Sequence, residues 1–89
     1  MKKYKFNLRV CREQYLQTQT KDMEMTVREA KQLFANIITN DPSVTICEIY
    51  YYTRYGGPNI LCRYDNHNGV RDDGKFLEDD KEEYKDVGI

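Results

Sequence analysis

The 89-residue chain contains little of the chemistry that most metal sites and enzymes need. It has one histidine, His67, and three widely spaced cysteines, Cys11, Cys47 and Cys62. No Cys-x-x-Cys pair is present, so a zinc site lacks ligands at usable spacing. A nucleophile would depend on a histidine that lies between two asparagines in a polar turn. The cysteines are therefore interpreted as reduced thiols acting as small apolar residues in strands, with a redox role as the minor alternative.

Motifs for nucleotide and calcium binding are missing as well. The sequence contains neither Gly-x-Gly-x-x-Gly nor a Walker motif, so it offers no glycine-rich cradle for a nucleotide phosphate. Residues 65–69 resemble a calcium loop only superficially, because oxygen ligands do not recur at its first, third and fifth positions and no closing glutamate follows. We therefore predict no metal, no cofactor and no enzymatic activity.

Long apolar runs are also absent. No stretch approaches the ~20 apolar residues that cross a bilayer, and the lysine-rich start is not followed by an apolar signal-peptide segment. The sequence therefore predicts a cytoplasmic protein with no membrane partner. The length favours one small core, because two halves of this size would each be too short to fold unaided.

Neither sign of charge dominates the chain. Lys and Arg number 14 and Asp and Glu 15, giving a net charge of −1, which is weak support for a mimic of DNA. The charge is nevertheless divided unevenly. Residues 1–33 carry eight basic and four acidic side chains, whereas residues 61–89 carry five basic and nine acidic ones. Such a division can create strong local fields although the total is near zero.

The apolar pattern of the first half predicts two strands and a helix. Residues 4–11 alternate apolar and polar, which indicates a strand with one buried face, and residues 14–25 are typical of an edge strand paired with it. Thr26-Val27-Arg28-Glu29 is a capping box that begins a helix, and Pro42 ends it. The apolar stripe of this helix consists of Val27, Ala30, Leu33, Phe34, Ile37 and Ile38.

The second half predicts a hairpin followed by an acidic end. Residues 44–55 and 60–64 are rich in β-branched and aromatic residues and are joined by a loop containing Gly56 and Gly57. The predicted fold class is α+β in ββαββ order, with one amphipathic helix packed on a mostly antiparallel four-stranded sheet. This domain spans residues 1–69, and residues 70–89 form a flexible, partly ordered acidic tail. Besides one face of these later strands, the predicted core consists of Phe6, Leu8, Val10, Ala30, Leu33, Phe34, Ile37 and Ile38.

The strongest compositional feature is the run from Ile49 to Tyr55, which contains four of the eight tyrosines. Strand alternation puts tyrosines on both faces of this segment. Only one helix is predicted, and it covers one face. The other face is then exposed aromatic surface, or it is covered by the tail or by a partner.

This pattern favours a non-enzymatic protein-binding module that docks through the tyrosine-rich hairpin and an acidic arm, the latter onto a basic groove of the partner. Tyrosine and arginine are enriched at the energetic centres of interfaces. A phage or mobile-element inhibitor of a host nucleic-acid-processing or defence protein, including anti-CRISPR-like action, fits these properties, although no motif specifies it. The predicted partner-binding residues are Tyr50, Tyr52, Arg54, Tyr55, Asp79, Asp80, Glu82 and Glu83.

Two other functions remain open at this stage. A module for single-stranded nucleic acid, or a regulatory module, would use the sheet aromatics together with Lys2, Lys3, Lys5 and Arg9. The acidic overall charge and the scattered basic residues weigh against it. A self-associating structural protein would pair exposed strand edges or tyrosine faces between copies, so the chain is expected to be a monomer or a homodimer.

Overall fold

The computed structural model describes residues 2–13 and 16–72 and confirms the α+β class. The elements in chain order are β1 (Tyr4–Arg12), β2 (Gln17–Met25), α1 (Val27–Asn40), β3 (Val44–Thr53), β4 (Gly56–Asp65) and β5 (Gly69–Asp72). The strands form one antiparallel sheet in the order β2-β1-β3-β4-β5. Helix α1 packs on one face of this sheet.

The sheet has five strands within the described residues, so the expected four is wrong. Strand β5 pairs with the end of β4, with Gly69 opposite Asp65 and Asp72 opposite Cys62. All four β5 residues are exposed, and an exposed edge strand leaves no alternation of apolar residues by which a sequence can reveal it. The remainder of the predicted acidic tail, residues 73–89, lies outside the described residues.

The helix begins and ends as its sequence predicts. The Thr26 hydroxyl accepts a hydrogen bond from the Glu29 amide at 3.1 Å, and the Glu29 carboxylate accepts one from the Thr26 amide at 3.0 Å. These two bonds satisfy amides that have no partner inside the helix. The helix ends at Asn40, two residues before Pro42. Its buried residues Val27, Ala30 and Phe34 face the sheet.

The core lies between α1 and the sheet, and four of the eight named core predictions are buried in it. These residues are Phe6, Val10, Ala30 and Phe34. Leu8, Ile37 and Ile38 are partly buried against them, and Leu33 is also only partly buried. Cys47 and Cys62, 0% and 2% exposed, belong to the core, as expected for thiols acting as apolar residues.

A bulge in β2 is held by a buried polar side chain, Asn7. The register moves from Phe6 opposite Met23 to Leu8 opposite Thr20, and Asp22 adopts a left-handed conformation with φ 57°. The Asp22 amide donates to Asn7 Oδ1 at 3.1 Å, and Asn7 Nδ2 donates to the Tyr50 carbonyl at 3.5 Å. Asn7 thus ties the bulge to β3.

Asp41 ties the segment after α1 to β1. Its carboxylate accepts hydrogen bonds from the hydroxyl and amide of Ser43 and from Arg12 Nε, the last at 2.8 Å. The Ser43 hydroxyl is the largest cause, ahead of Arg12 and the Ser43 amide, of a pKa for Asp41 of about 2 instead of 3.8. The folded protein therefore keeps this carboxylate ionised in acid where the unfolded chain does not.

We expect the free energy of unfolding to fall as the pH drops from about 4 to about 2, because the unfolded chain protonates Asp41 first. The variant Asp41→Asn should lose stability at neutral pH and lose this part of the pH dependence. Urea unfolding at a series of acidic pH values measures both. The control is Glu24→Gln, on an exposed position of β2. Identical acid slopes for Asp41→Asn and the native chain would contradict the assignment.

Candidate functional site

The candidate site is the sheet face opposite α1, which no helix within the described residues covers. We call it the open face. Strand alternation and register place on it Arg9 from β1, Glu48, Tyr50 and Tyr52 from β3, Ile60, Arg63 and Asp65 from β4, and Arg71 from β5.

The centre of the open face is an ion triad that spans three strands. Glu48 lies directly opposite Arg9 on one side and Arg63 on the other. Arg9 Nε and Arg63 Nη1 each lie 2.6 Å from a different oxygen of its carboxylate. Glu48 is only 8% exposed, and a buried charge is costly unless it is paired. Two hydrogen-bonded guanidiniums compensate its charge. The triad therefore links β1, β3 and β4 through their side chains.

Sequence reasoning missed Glu48 as a site residue. The available signal is one carboxylate inside the apolar and aromatic run of β3, with arginines in two other strands. A buried carboxylate requires such partners. The pairing itself joins residues 39 and 15 positions apart, which no local pattern reveals.

A groove of about 190 Å³ lies beside this triad at the tyrosine end of the open face. Its lining consists of Arg9, Glu48, Tyr50, Tyr52, Pro58 and Ile60. The rings of Tyr50 and Tyr52 meet edge-to-face with centroids 6.0 Å apart. Tyr50 is 9% exposed, whereas Tyr52 is 51% exposed and presents its ring to the surroundings.

Gly57 allows Tyr52 to pack closely over the start of β4. A Cβ atom at this position would lie 3.0 Å from Tyr52 Cδ1 and 3.1 Å from the Tyr51 carbonyl oxygen. The backbone φ of 158° also differs from that of most residues in strands. This glycine thus has a packing role, where the sequence predicted only loop flexibility.

The hairpin tip is tighter than expected, because Gly56 and Gly57 belong to β4. Thr53 pairs with Gly56, which leaves Arg54 and Tyr55 as the turn. The Thr53 hydroxyl accepts from the Tyr55 amide at 3.2 Å and donates to the Gly56 carbonyl at 3.3 Å. Arg54 Cζ lies 5.5 Å from the centre of the Tyr55 ring, which is part of a residue 76% exposed.

The structure therefore divides the predicted partner-binding residues into three groups. Tyr50 and Tyr52 lie on the open face, and Arg54 and Tyr55 form the adjoining hairpin tip. The acidic arm, predicted from Asp79, Asp80, Glu82 and Glu83, lies outside the described residues. The tyrosine half of the predicted site is thus brought together in one region.

The four residues predicted for nucleic acid do not share one face. Lys5 lies opposite Glu24 and Arg9 binds Glu48, both on the open side of the sheet. Lys2 Nζ lies 5.5 Å from the ring centre of Tyr4, a core residue on the helix side. Hydrogen bonds with Thr26 lower the pKa of Glu29, and the positive charge of Lys3 makes a smaller contribution in the same direction.

A second cavity, of about 250 Å³, lies between β4 and β5 and is lined by Arg63, Asp65, Asn68, Gly69 and Arg71. Asp65 organises the turn beside it by accepting from the amides of His67 and Asn68, each at 2.8 Å. Side-chain and backbone donors of Asn68, followed by the His67 amide, hold the pKa of Asp65 below its ordinary value. His67 thus lies in an exposed turn closed by Asp65.

The described residues contain neither a candidate metal cluster nor a membrane-spanning helix. Across residues 2–13 and 16–72, no cluster of His, Cys, Asp and Glu is arranged to hold a metal ion. Helix α1, the one helix in the described residues, is not long and apolar enough to span a membrane.

Comparisons with known proteins give no relative. No protein-family model matches the chain, and no match is found among curated proteins or among solved structures. Within residues 2–13 and 16–72, the chain is an α+β domain with one helix on one sheet face and tyrosines and arginines on the other.

Proposed function

We propose that this chain is a non-enzymatic protein-binding module that docks through the groove, the tyrosine end of the open face and the hairpin tip. The observation that carries the proposal is the exposure of two tyrosines: Tyr52, 51% exposed, lines the groove, and Tyr55, 76% exposed, lies at the hairpin tip. An exposed tyrosine ring offers a large apolar contact area with a polar hydroxyl, and few rotamers are lost on binding. Such residues dominate the energetics of many interfaces.

The tyrosine run is divided between structural and exposed roles, which makes the exposed residues informative. Tyr51 is 2% exposed and packs edge-on against Phe6 at a centroid distance of 6.2 Å. Tyr50 forms the floor of the groove. The fold thus accounts for these two tyrosines, whereas Tyr52 and Tyr55 project beyond the core. Their exposure is what a docking surface requires.

The biological part of the proposal rests on composition. The proposed role is that of a cytoplasmic inhibitor from a phage or mobile element. Its target would be a host nucleic-acid-processing or defence protein, which it would block in an anti-CRISPR-like manner. The acidic arm at residues 79–83 would meet a basic groove of that partner. Split charge and small size support this assignment.

Separate variants Tyr52→Ala and Arg54→Ala should each weaken partner binding by about tenfold or more and leave the fold intact, because truncating an interface anchor commonly costs more than 1 kcal/mol. A pull-down from nuclease-treated host lysate identifies the partner, and calorimetry measures the affinity. Circular dichroism checks the fold.

The matched control is Leu16→Ala, which removes an apolar side chain 61% exposed just before β2. Binding should not change in this variant. Unchanged binding in both Tyr52→Ala and Arg54→Ala would overturn the proposed site. Sedimentation velocity at several concentrations distinguishes a monomer from a homodimer and tests the self-associating alternative.

Binding of single-stranded nucleic acid is the second candidate, favoured by three arginines on the same face as Tyr52. Against this candidate, only one tyrosine of the open face within the described residues, Tyr52, has a well-exposed ring on which a base could stack. Modules of this type stack successive bases on several aromatic rings. An affinity that falls steeply with salt for an oligonucleotide would favour this candidate.

A further inference from the structure

In the charged half of the open face, the carboxylate side chains are more buried than the guanidinium side chains. The side chains of Glu48 and Asp65 are 11% and 15% exposed. Those of Arg9 and Arg63 are 28% and 32% exposed. A partner approaching this face therefore meets guanidinium groups first.

The guanidiniums keep hydrogen-bonding capacity for an incoming acceptor. Glu48 engages Nε of Arg9 and Nη1 of Arg63, and an Asp65 carboxylate oxygen lies 3.8 Å from Nη2 of Arg63. A guanidinium carries five N–H donors in a planar fork, and it pairs well with carboxylates. The bonds to Glu48 also hold both arginine side chains in position. Less side-chain conformational entropy is therefore lost when a ligand binds them.

A third arginine extends this cationic surface to the sheet edge. Arg71 on β5 lies directly opposite Arg63 on β4, and both line the 250 Å³ cavity. An anionic group placed in this cavity would lie beside both guanidiniums and could accept charge-assisted hydrogen bonds from them.

We propose that the open face binds an acidic segment of the partner protein. An apolar side chain of that segment occupies the groove against Tyr52, Pro58 and Ile60, and its carboxylates lie over Arg9, Arg63 and Arg71. This inference rests on the proposed protein-binding function and names the chemistry of the partner. Charge complementarity with the outward arginines selects the occupant.

A protein segment fits this face better than a nucleic acid does. The groove adjoins one well-exposed tyrosine ring, and its floor is Tyr50, which is buried against Tyr52. That arrangement accommodates one apolar side chain, whereas successive bases need successive stacking surfaces.

A phage-displayed library of random dodecapeptides, selected on the immobilised full-length chain, tests the inference. We expect enriched peptides to combine several Asp or Glu residues with an apolar residue. Fluorescence anisotropy of the most enriched peptide then gives its affinity. Arg71→Gln should weaken that affinity about tenfold, equivalent to about 1.4 kcal/mol. The matched control Arg28→Gln, at an exposed position of α1, should not change it.

Several results would overturn the inference. Enriched peptides without an excess of acidic residues would do so, as would equal affinities for Arg71→Gln and Arg28→Gln. Displacement of the peptide by oligothymidylate at physiological salt, with tighter binding of the oligonucleotide, would assign the face to nucleic acid instead. A further full-length variant replaces the acidic residues among 78–83 with Asn or Gln. If the peptide binds this variant but not the native chain, the chain's own acidic segment is the occupant of the face.

The failure of this inference can be distinguished from failure of the proposed function. A natural partner that is lost with Tyr52→Ala but retained with Arg71→Gln would leave the protein-binding function in place. It would show that the partner's segment is not held by the arginines. A partner retained by both variants would contradict the proposed function as well.

Discussion

The variant Glu48→Ala should lower the free energy of unfolding by about 2 to 3 kcal/mol. Removing one member of a buried ion pair leaves the other charge uncompensated, which commonly costs 3–5 kcal/mol. Here two guanidiniums lose their common acceptor, but each arginine side chain is roughly 30% exposed and regains some hydration. The expected cost is therefore below that range.

Two further variants separate the effect of charge from that of packing. Glu48→Gln keeps the shape and one acceptor oxygen, so its loss should be about 1 kcal/mol. Replacing all three members, with Arg9→Met, Glu48→Leu and Arg63→Met, should be nearly neutral, because well-packed apolar groups often substitute for a buried ionic cluster.

Urea unfolding at neutral pH provides the measurement for this series. Glu24→Ala is the control, since that carboxylate is exposed on edge strand β2 and its loss should stay within about 0.5 kcal/mol. If Glu48→Ala is as mild as Glu24→Ala, the triad contributes no stability. An unstable triple variant would instead show that the arginine stems pack in a way that methionine cannot replace.

The three thiols should react with alkylating reagents at very different rates. Burial raises the pKa of Cys47 to about 11, and burial followed by the nearby Asp72 carboxylate raises that of Cys62 to about 12. The thiolate is the reactive form, and both side chains are closed off in the core. Cys11 is only partly buried, with Sγ 3.7 Å from Gln17 Oε1. We expect Cys11 to react at least about a hundredfold faster.

Mass spectrometry after timed treatment with iodoacetamide at neutral pH measures this difference. The native chain should gain one adduct quickly, and the urea-unfolded chain should gain three. Cys11→Ser should remove the fast adduct without exposing the others. Rapid labelling of Cys47 or Cys62 would contradict their closure in the core and would favour the redox alternative. Because the folded thiols hold their protons more tightly than unfolded ones, stability should also fall as the pH rises from about 9 towards 11.

Local signals in the sequence were sufficient to predict most of the elements. The capping box at Thr26 and Glu29 uses residues three positions apart, and the alternation in β1 shows which side chains enter the core. The tyrosine run contains the two exposed tyrosines of the candidate site, Tyr52 and Tyr55. Each of these features is encoded within a few neighbouring residues.

The features that the sequence did not predict all depend on long-range pairing. Asn7 is buried because β2 bulges beside it and β3 passes on its other side. The Glu48 triad requires the register of three strands, and β5 is recognisable only by its bonds to β4. The turn of the hairpin consists of Arg54 and Tyr55, not of the predicted glycine loop, because strand β4 already begins at Gly56. Tertiary register, rather than local propensity, determines these details.

The Glu48 triad also bears on how the chain finds its correct strand alignment. Side chains alternate along a strand, so a slip of β3 by one residue would turn Glu48 towards α1 and expose Ile49 on the opposite side. The carboxylate would then enter the apolar layer formed with Phe6 and Phe34, without either arginine. Burial of an unpaired charge is far more costly than loss of a few apolar contacts. A single acidic residue in the central strand therefore penalises the neighbouring misfolded alignments of the sheet.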